Sequence, residues 1–205
     1  MILKLHNIIL QIQLEEEFST SVDAVIVSDD VNLIMRQGEI ALKPKKIEAE
    51  DFKKILAQAR KKLPKALGSV ILAQGKEAIA YGKRFPATHL LIAIVYNFEK
   101  SPPCQKKFIE KALKACLKKA ESLKVRTLAL SPIGCEHKGI SLEVFAKILS
   151  RLCLKSIKSS SSIKKIFLIS SSPEERNLII EYLSCLKAIK AIMPKIQVDK
   201  KLREM

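Results

Sequence analysis

Residues Asp23–Ser28 read DAVIVS, a short apolar run that ends in a polar residue. A run with β-branched side chains is typical of a strand buried on both faces, as in the sheets of α/β proteins. The next segment, Asp29–Lys46, contains the breakers Gly38 and Pro44 and is predicted to be a loop. We therefore expect a buried strand whose carboxyl end opens into a long connection.

Strand and helix patterns alternate outward from this segment. Further strands are predicted at Asn7–Leu14, Ser69–Ala73, His89–Tyr96, Val125–Ser131 and Ile163–Ser170. Helices are predicted at Ile47–Leu63, Gln105–Ser122 and Leu142–Lys155, and from Ser172 to about Ala188. Strand–helix–strand units dominate the second half. The fold class is therefore α/β, and the pattern predicts a three-layer α/β/α sandwich around a mixed sheet of about six strands.

The helices also carry signals at their ends and on their faces. Ser141 is a candidate N-cap for the helix at Leu142–Lys155, and Ser172 precedes a Pro at the first position of the last helix. The helix at Gln105–Ser122 is rich in lysine. Its predicted buried face contains Phe108, Ala112, Cys116 and Ala120.

The composition fits one folded domain. The chain has 205 residues, of which 48% are apolar and 28% charged, and its formal net charge is +16. The apolar content is too high for a disordered chain, and a chain of this length can bury a core without disulfides. We predict a single domain over residues 1–190 and a basic C-terminal tail over residues 191–205. The abundance of Lys, Glu and Ile is common in proteins from hot environments, which offers a non-functional origin for many lysines.

The sequence indicates a cytoplasmic protein without a metal or another cofactor. No run approaches the roughly 20 apolar residues of a membrane span, and no secretion signal is recognisable at the start. The five cysteines are widely spaced, none forms a C-x-x-C motif, and there are only three histidines. We expect buried, reduced thiols and a structural role for His89. The sequence leaves the oligomeric state open.

Two loops are candidates for a ligand site. In open α/β sheets, ligands bind beyond the carboxyl ends of the strands. Ser28–Gly38 and Pro132–Ile140 each follow a predicted strand, so both qualify by position.

The residues around these loops resemble the macro domain family, whose members are α/β modules that bind ADP-ribose and related nucleotides. Val22–Val27 reads VDAVIV and resembles the V-D-A-I-V that opens the family's first motif. Leu33–Gly38 reads LIMRQG and is similar to the L-W-M-G-x-G of a subgroup. Leu130–Ser141 matches by position the family's second loop, roughly F-P-A-I-G-T-G-x-x-G-x-P. The resemblance covers Leu10 to about Leu183.

The resemblance implies a site for ADP-ribose or a related nucleotide between the two loops. The implied ligand-binding residues are Glu16, Ser28, Asp29, Asp30, Asn32, Gly38, Gly134, Cys135, Glu136, His137, Lys138 and Gly139. Glu16 lies near the position of a family Asp that meets adenine, and Asn32 is a candidate for a family Asn on the ribose. His137 and Lys138 are candidate anion contacts. The resemblance assigns no catalytic residue.

The loops differ from the family pattern in ways that predict a weak pocket. Gly38 stands alone where the family has adjacent glycines, which let backbone N–H groups approach a phosphate. Asp29 and Asp30 replace part of the family's N-A-A-N and would repel a diphosphate if they face it. Glu136 adds bulk and negative charge to the second loop. We therefore expect ADP-ribose to bind more weakly than it binds to an intact macro domain.

The loop residues also allow other functional interpretations. Asp29 and Asp30 could form a catalytic or ligand-binding pair, or they could be solvated and cap the loop. Cys135 and His137 could act as nucleophile and base, although neighbours two apart in a loop need not face each other. Hydrolysis of ADP-ribosyl esters is a further alternative. It is disfavoured because the Asn and the glycines that position substrate and water in many family hydrolases are missing.

The lysine surplus suggests an alternative from another class of function, a nucleic-acid or polyanion-binding module. The lysines lie on two predicted helices, as Lys53, Lys54, Lys61 and Lys62 and as Lys106, Lys107, Lys111, Lys114, Lys118 and Lys119. A face of like charge suits a phosphate backbone. A solvated surface would give the same count, and the acidic Glu110 and Glu121 lie among these lysines. The scarcity of Tyr and absence of Trp argue against base stacking.

Overall fold

Seven strands and three helices make up the described part of the chain. The computed structural model describes residues 2–5, 8–35, 61–80, 85–155 and 161–185. The strands are β1 (Ile2–Leu5), β2 (Ile8–Leu14), β3 (Val22–Asp30), β4 (Val70–Ala80), β5 (Phe85–Tyr96), β6 (Thr127–Leu130) and β7 (Lys165–Ser170). The helices are α1 (Lys106–Ser122), α2 (Leu142–Lys155) and α3 (residues 173–185).

All seven strands belong to one mixed sheet with the order β1-β2-β7-β6-β3-β5-β4. The five inner strands run parallel, and β1 and β4 add to the two edges in antiparallel pairing. Inner parallel strands are buried on both faces, which explains the unbroken apolar runs of β3 and β5. The parallel arrangement brings the carboxyl ends of β2, β7, β6, β3 and β5 to the same end of the sheet.

Apolar side chains form a cluster on each face of the sheet. The larger cluster joins the strands to all three helices. From α1 it takes Ile109, Ala112, Leu113, Cys116, Leu117 and Ala120. Phe145 of α2 and Ile179 of α3 lie in the same cluster, and the smaller one contains Val25, Ile92 and Phe167. The predicted α/β fold around one mixed sheet is confirmed.

β3 is longer than predicted and ends in two aspartates. The prediction of a loop from Asp29 was wrong, because Asp29 pairs with Ile94 of β5 and Asp30 pairs with Tyr96. Only 1% and 3% of the two aspartates is exposed, so the solvated alternative does not hold for either. Oδ1 of Asp29 accepts the N–H of Asp30 at 2.8 Å. A buried carboxylate is tolerated here because backbone donors replace water.

Other elements differ from the prediction mainly at their ends. β1 was not predicted, and β6 is shorter than the predicted strand at Val125–Ser131. In α1 the predicted face was wrong at Phe108, which is half-buried, whereas Ile109 takes the core position. Helical periodicity alone did not separate these neighbours, because both are large and apolar.

The predicted N-caps are confirmed. Oγ of Ser141 accepts the N–H of Val144 at 3.3 Å, and Oγ of Ser172 accepts the N–H of Glu175 at 3.2 Å. Each bond satisfies one of the backbone donors that a helix start leaves without an intrahelical acceptor.

Some predictions fall outside the described residues. Most of the predicted helix Ile47–Leu63 does so, and the described residues 61 and 62 form a turn. Gly38 of the first candidate loop and the predicted tail at residues 191–205 also lie outside them.

At the amino end of the inner strands, Asp23 ties β3 to β6. Its Oδ2 accepts the N–H groups of Arg126 at 2.8 Å and Thr127 at 2.9 Å. Burial acts to raise the pKa of Asp23, but the hydrogen bonds from Thr127 and Arg126 outweigh it and hold this pKa below its ordinary value. This aspartate of the VDAVIV segment is therefore structural, at the end of the strand away from the candidate loops.

Candidate functional site

A cavity of about 350 Å³ opens at the carboxyl ends of β2, β6 and β7. Ligands of α/β sheets bind at this carboxyl end of the strands, and the volume of the cavity lies in the range of small-molecule sites. Its apolar floor consists of Val25, Ala129, Leu130, Pro132, Leu142 and Ile169. A floor of this kind suits a flat group such as a nucleobase.

Three acidic residues line the cavity, namely Glu15, Glu136 and Glu175. The backbone N–H of Glu15 donates to the oxygen of Ser170 at 2.9 Å, which holds Glu15 beside the end of β7. The predicted Glu16 is instead exposed in the turn after β2 and does not line the cavity. Among the described residues, neither Lys nor Arg lines the cavity. Its charge therefore favours ligand groups that donate hydrogen bonds.

The start of α3 forms a side of the cavity that the sequence analysis did not assign. Ser171, Ser172 and Glu175 all line it. Oε2 of Glu175 accepts the N–H of Ser171 at 2.9 Å, so the side chain of Glu175 is held against the helix start. The Ser-Pro-Glu-Glu start is visible in the sequence. This helix start directly follows a strand, so it lies at the same end of the sheet as the two loops. That position could have assigned the helix start to the site.

The second predicted loop folds into a ring, residues 134–140, that is closed by its own backbone. The N–H of Ile140 donates to the oxygen of Gly134 at 2.8 Å, and that of Gly139 to the oxygen of Glu136 at 2.9 Å. A Cβ at Gly139 would lie 1.9 Å from the Gly134 oxygen. A Cβ at Gly134, where φ is +82°, would lie 2.2 Å from Cδ1 of Ile109. Gly139 is therefore required by the ring itself, and Gly134 by the packing of the ring against α1.

Aromatic side chains support this ring. Tyr96, at the end of β5, donates its hydroxyl to the Glu136 oxygen at 2.8 Å. The Tyr96 ring stacks on Phe98 with 5.5 Å between centroids and meets His137 edge-on at 5.9 Å. His137 and Lys138 are exposed and adopt φ of 50° and 56°. Within the described residues, the backbone N–H groups of these two residues have no acceptor.

Asp30 organises the start of the first predicted loop. Its carboxylate accepts the N–H groups of Asn32 at 3.0 Å, Ile34 at 2.7 Å and Met35 at 3.0 Å. Burial acts to raise the pKa of Asp30, but these donors outweigh it and hold this pKa below its ordinary value. Asp30 is therefore an ionised cap of the loop backbone, and it does not line the cavity.

Cys135 borders the cavity with an unreactive thiol. Burial, with smaller effects from Glu175, Cys104 and Glu136, raises the pKa of this thiol to about 12. The ring of its neighbour His137 packs against Tyr96 and Phe98. A thiol that stays protonated at neutral pH is a poor nucleophile, so this geometry gives a Cys–His dyad no support.

Half of the predicted site residues meet at the ring. These are Gly134, Cys135, Glu136, His137, Lys138 and Gly139, of which Cys135 and Glu136 line the cavity. Ser28 and Asp29 are buried at the end of β3 and do not line it. Asn32 borders a separate groove together with Lys65 and Asn97.

The described residues contain no group of three or more His, Cys, Asp or Glu side chains arranged to hold a metal ion. No described helix is long and apolar enough to cross a membrane. The five cysteines are thiols without disulfide partners; Cys104, Cys116 and Cys153 are buried, Cys135 is half-buried and Cys185 is exposed.

Comparisons with known proteins point to one family. The family model described as Macro domain matches residues 34–149. An Oceanobacillus iheyensis macrodomain mutant with ADPR is 12% identical, with a TM-score of 0.68 over 92% of this chain and 98% of that chain. The same macrodomain with ADP is 12% identical, with a TM-score of 0.70 over 92% and 96%. A Trypanosoma brucei macrodomain in complex with ADP is 13% identical, with a TM-score of 0.55 over 86% and 69%. No curated protein matches the sequence.

Proposed function

The chain belongs to the macro domain family, and from that membership we propose that its cavity binds ADP-ribose or a related adenine nucleotide with reduced affinity. The observation that carries the proposal is the cavity at the carboxyl ends of β2, β6 and β7, bordered by the ring at residues 134–140. The similar macrodomains from O. iheyensis and T. brucei were solved with ADPR or ADP. A shared fold does not establish a shared ligand, so the proposal rests on the cavity residues described below.

The cavity itself suits the nucleoside half of the ligand. Its apolar floor can bury a flat ring, and the carboxylate of Glu15 at its border can accept a hydrogen bond from an exocyclic amino group. A bond to a charged group contributes about 1.5–3 kcal/mol. Glu15 takes in this proposal the role that the resemblance gave to Glu16.

The ring at residues 134–140 suits the diphosphate half only in part. The backbone N–H groups of His137 and Lys138, without an acceptor in the described structure, are available to an anion, and Lys138 adds a positive charge. His137 and Lys138 lie on the ring beside the cavity, whereas Glu136 and Glu175 line the cavity itself, and their negative charges oppose an anion. At ~6 Å and an effective dielectric constant of ~20, one carboxylate repels one phosphate charge by ~3 kcal/mol. We therefore expect affinity to fall by about two orders of magnitude per carboxylate.

Isothermal titration of the full chain with ADP-ribose, ADP and adenosine tests this proposal. We expect ADP-ribose to bind with a dissociation constant of about 0.05–1 mM. Glu136→Gln removes the charge and keeps the shape, so it should tighten ADP-ribose and ADP by roughly 100-fold and change adenosine little. Glu15→Gln should weaken all three ligands. Glu16→Gln is the matched control and should leave every affinity unchanged.

Two outcomes would count against the proposal. Binding of ADP-ribose by the wild type at low-micromolar concentration or tighter would contradict the weakening assigned to Glu136. Absence of heat with ~5 mM ADP-ribose for both the wild type and Glu136→Gln would overturn the proposed ligand class.

The proposal is restricted to binding. Among the described residues that line the cavity, the Cys135 thiol stays protonated at neutral pH, and hydrolysis would need a bordering carboxylate as general base. Incubation with an ADP-ribosylated peptide, followed by chromatography, should release no ADP-ribose above the buffer blank. Release that disappears in Glu136→Gln or Glu175→Gln would favour the hydrolase alternative.

A further inference from the structure

Four exposed lysines form a stripe along the solvent side of α1. They are Lys107, Lys111, Lys114 and Lys118, spaced by four, three and four residues. This spacing places side chains above one another on one helix face. The stripe is about 16 Å long at 1.5 Å per residue, which is about the length of five base pairs along the axis of a duplex.

The acidic residues among these lysines are engaged elsewhere. Glu110 forms an ion pair with Arg151 of α2, with 2.6 Å between Oε2 and Nη2. Glu121 bonds Ser161 and Ser162, which precede β7, including the Ser162 N–H at 3.1 Å. Neither carboxylate therefore neutralises the stripe. None of its four lysines forms an ion pair with a carboxylate of the described residues.

A second group of lysines lies beside the stripe. The segment at residues 61–68 contains exposed Lys61 and Lys62, half-buried Lys65, and Gly68. A Cβ at Gly68 would lie 2.7 Å from Cδ of Lys111, so this segment packs against the aliphatic part of that side chain. This contact places the end of the segment at residues 61–68 against the stripe. We call the two groups together the α1 lysine surface, consisting of Lys61, Lys62, Lys65, Lys107, Lys111, Lys114 and Lys118.

We propose that the α1 lysine surface binds the phosphate backbone of a nucleic-acid duplex, independently of ligand binding in the cavity. These seven cations, four of them on one helix face, can neutralise phosphates, and the counterions released from the nucleic acid then favour binding. The surface reads no base sequence, because its contacts are ammonium groups on long, flexible side chains without bidentate geometry.

The composition of the surface favours a duplex over a single strand or a membrane. Single-stranded nucleic acids are held by exposed aromatic rings, whereas Phe108 of α1 is half-buried with the Lys107 ammonium 4.9 Å from its ring centroid. A helix that inserts into a membrane surface exposes large apolar side chains. α1 instead directs its large apolar side chains into the core, and none of them is among the exposed ones.

Fluorescence anisotropy with a labelled 24-base-pair DNA duplex, and with an RNA duplex of the same length, tests the proposal at 50, 100 and 200 mM salt. We expect a dissociation constant of about 1–10 µM at 150 mM salt, and a slope of log K against log salt of roughly −4 to −6. Unrelated sequences of the same length should bind equally. Anionic vesicles of phosphatidylserine and phosphatidylcholine should compete weakly at matched charge.

Charge-reversal variants test whether the duplex binds at the α1 lysine surface. The variant Lys107→Glu, Lys114→Glu, Lys118→Glu should lose at least ~100-fold in affinity at 100 mM salt, and the corresponding Gln variant should lower the salt slope by ~2.7. Lys111 is left intact because it packs on Gly68. The matched control reverses the charges of Lys100, Lys147 and Lys164, which are exposed lysines outside the α1 lysine surface. Its affinity for the duplex should stay within about threefold of the wild type. Circular dichroism confirms that each variant is folded.

Three results would overturn the proposal. The first is absence of duplex binding at 50 mM salt. The second is an equal loss in the α1 variant and in the control variant, which would assign binding to net charge alone. The third is vesicle binding that exceeds duplex binding and falls in the α1 variant. Glu136→Gln should leave duplex affinity unchanged, so failure here and failure of the cavity proposal are separable.

Discussion

The hydroxyl of Tyr96 donates a hydrogen bond of 2.8 Å to the backbone oxygen of Glu136, and so joins the end of β5 to the ring that borders the cavity. Tyr96 is fully buried and packs against His137 of the same ring. This contact holds in place the residue whose carboxylate opposes an anion. If the cavity binds a nucleotide as proposed, we expect its affinity to depend in part on Tyr96, a side chain that does not line the cavity.

Tyr96→Phe removes this bond and keeps the ring packing. We expect the free energy of unfolding to fall by about 1–2 kcal/mol, because the Glu136 oxygen loses a buried donor. Urea unfolding followed by circular dichroism measures the change. Tyr182→Phe on α3 is the matched control, since its hydroxyl makes no hydrogen bond within the described residues, and it should cost less than ~0.5 kcal/mol. Equal losses in the two variants would argue against the Tyr96–Glu136 bond.

Gly134→Ala should lower the free energy of unfolding by about 3 kcal/mol or more. The added Cβ meets Cδ1 of Ile109 at 2.2 Å, and the backbone is left-handed. Gly68→Ala is the control with the same kind of backbone, at φ +81°, but the nearest atom to its Cβ is Cδ of the exposed Lys111 side chain, at 2.7 Å. Its cost should stay near 1–2 kcal/mol.

A double variant sharpens this test. Ile109→Val deletes the clashing Cδ1 atom, so Gly134→Ala should cost ~1 kcal/mol less in that background, as measured by the same urea titration. Absence of any rescue would show that the clash with Cδ1 of Ile109 is not the cause.

Asp30 should stabilise the protein in a pH-dependent way. Its pKa is lowered in the folded state, so its contribution is complete above the ordinary value near 4 and is lost as the pH falls through the lowered value. Asp30→Asn should cost about 1–3 kcal/mol at pH 7 and flatten the loss of stability below pH ~4. Unfolding titrations between pH 2.5 and 7 test this, with the exposed Glu16→Gln as control. A constant difference between wild type and Asp30→Asn at every pH would contradict an ionised cap.

Cys135 should react slowly with alkylating reagents. Its thiol pKa of about 12 leaves almost no thiolate at pH 7.5, so iodoacetamide should modify exposed Cys185 at least tenfold faster. Mass spectrometry of peptides over time gives both rates in one sample. Glu175→Gln should speed modification of Cys135, because the carboxylate contributes to the raised pKa. Faster modification of Cys135 than of Cys185 would support a nucleophilic role for Cys135.

Much of the fold follows from local pattern. The inner strands are unbroken apolar runs because both of their faces are buried, and the helix starts at Ser141 and Ser172 carry their own caps. β3 was predicted too short because aspartates are rare inside buried strands. Asp29 and Asp30 are tolerated there only because backbone N–H groups reach their carboxylates, which sequence pattern cannot show.

The site was harder to predict, because residues distant in sequence form it. Glu15 and Glu175 meet the ring at residues 134–140 only through the pairing of β2 with β7 and β7 with β6. The glycine pattern of the ring predicted an anion loop, whereas Gly134 and Gly139 are already required by contacts within the protein. A glycine in a sequence motif thus does not distinguish ligand approach from internal packing.

The central claim is that a nucleotide occupies the cavity between the ring and the start of α3. The most direct measurement is an NMR titration of the ¹⁵N-labelled chain with ADP-ribose up to a few millimolar. We predict chemical-shift changes, saturating together, at the backbone amides of Glu15 and of the non-proline residues in the ranges 131–140 and 171–175, with no change along α1. Changes confined to the α1 lysines, or none at the cavity for the wild type and for Glu136→Gln, would contradict the account.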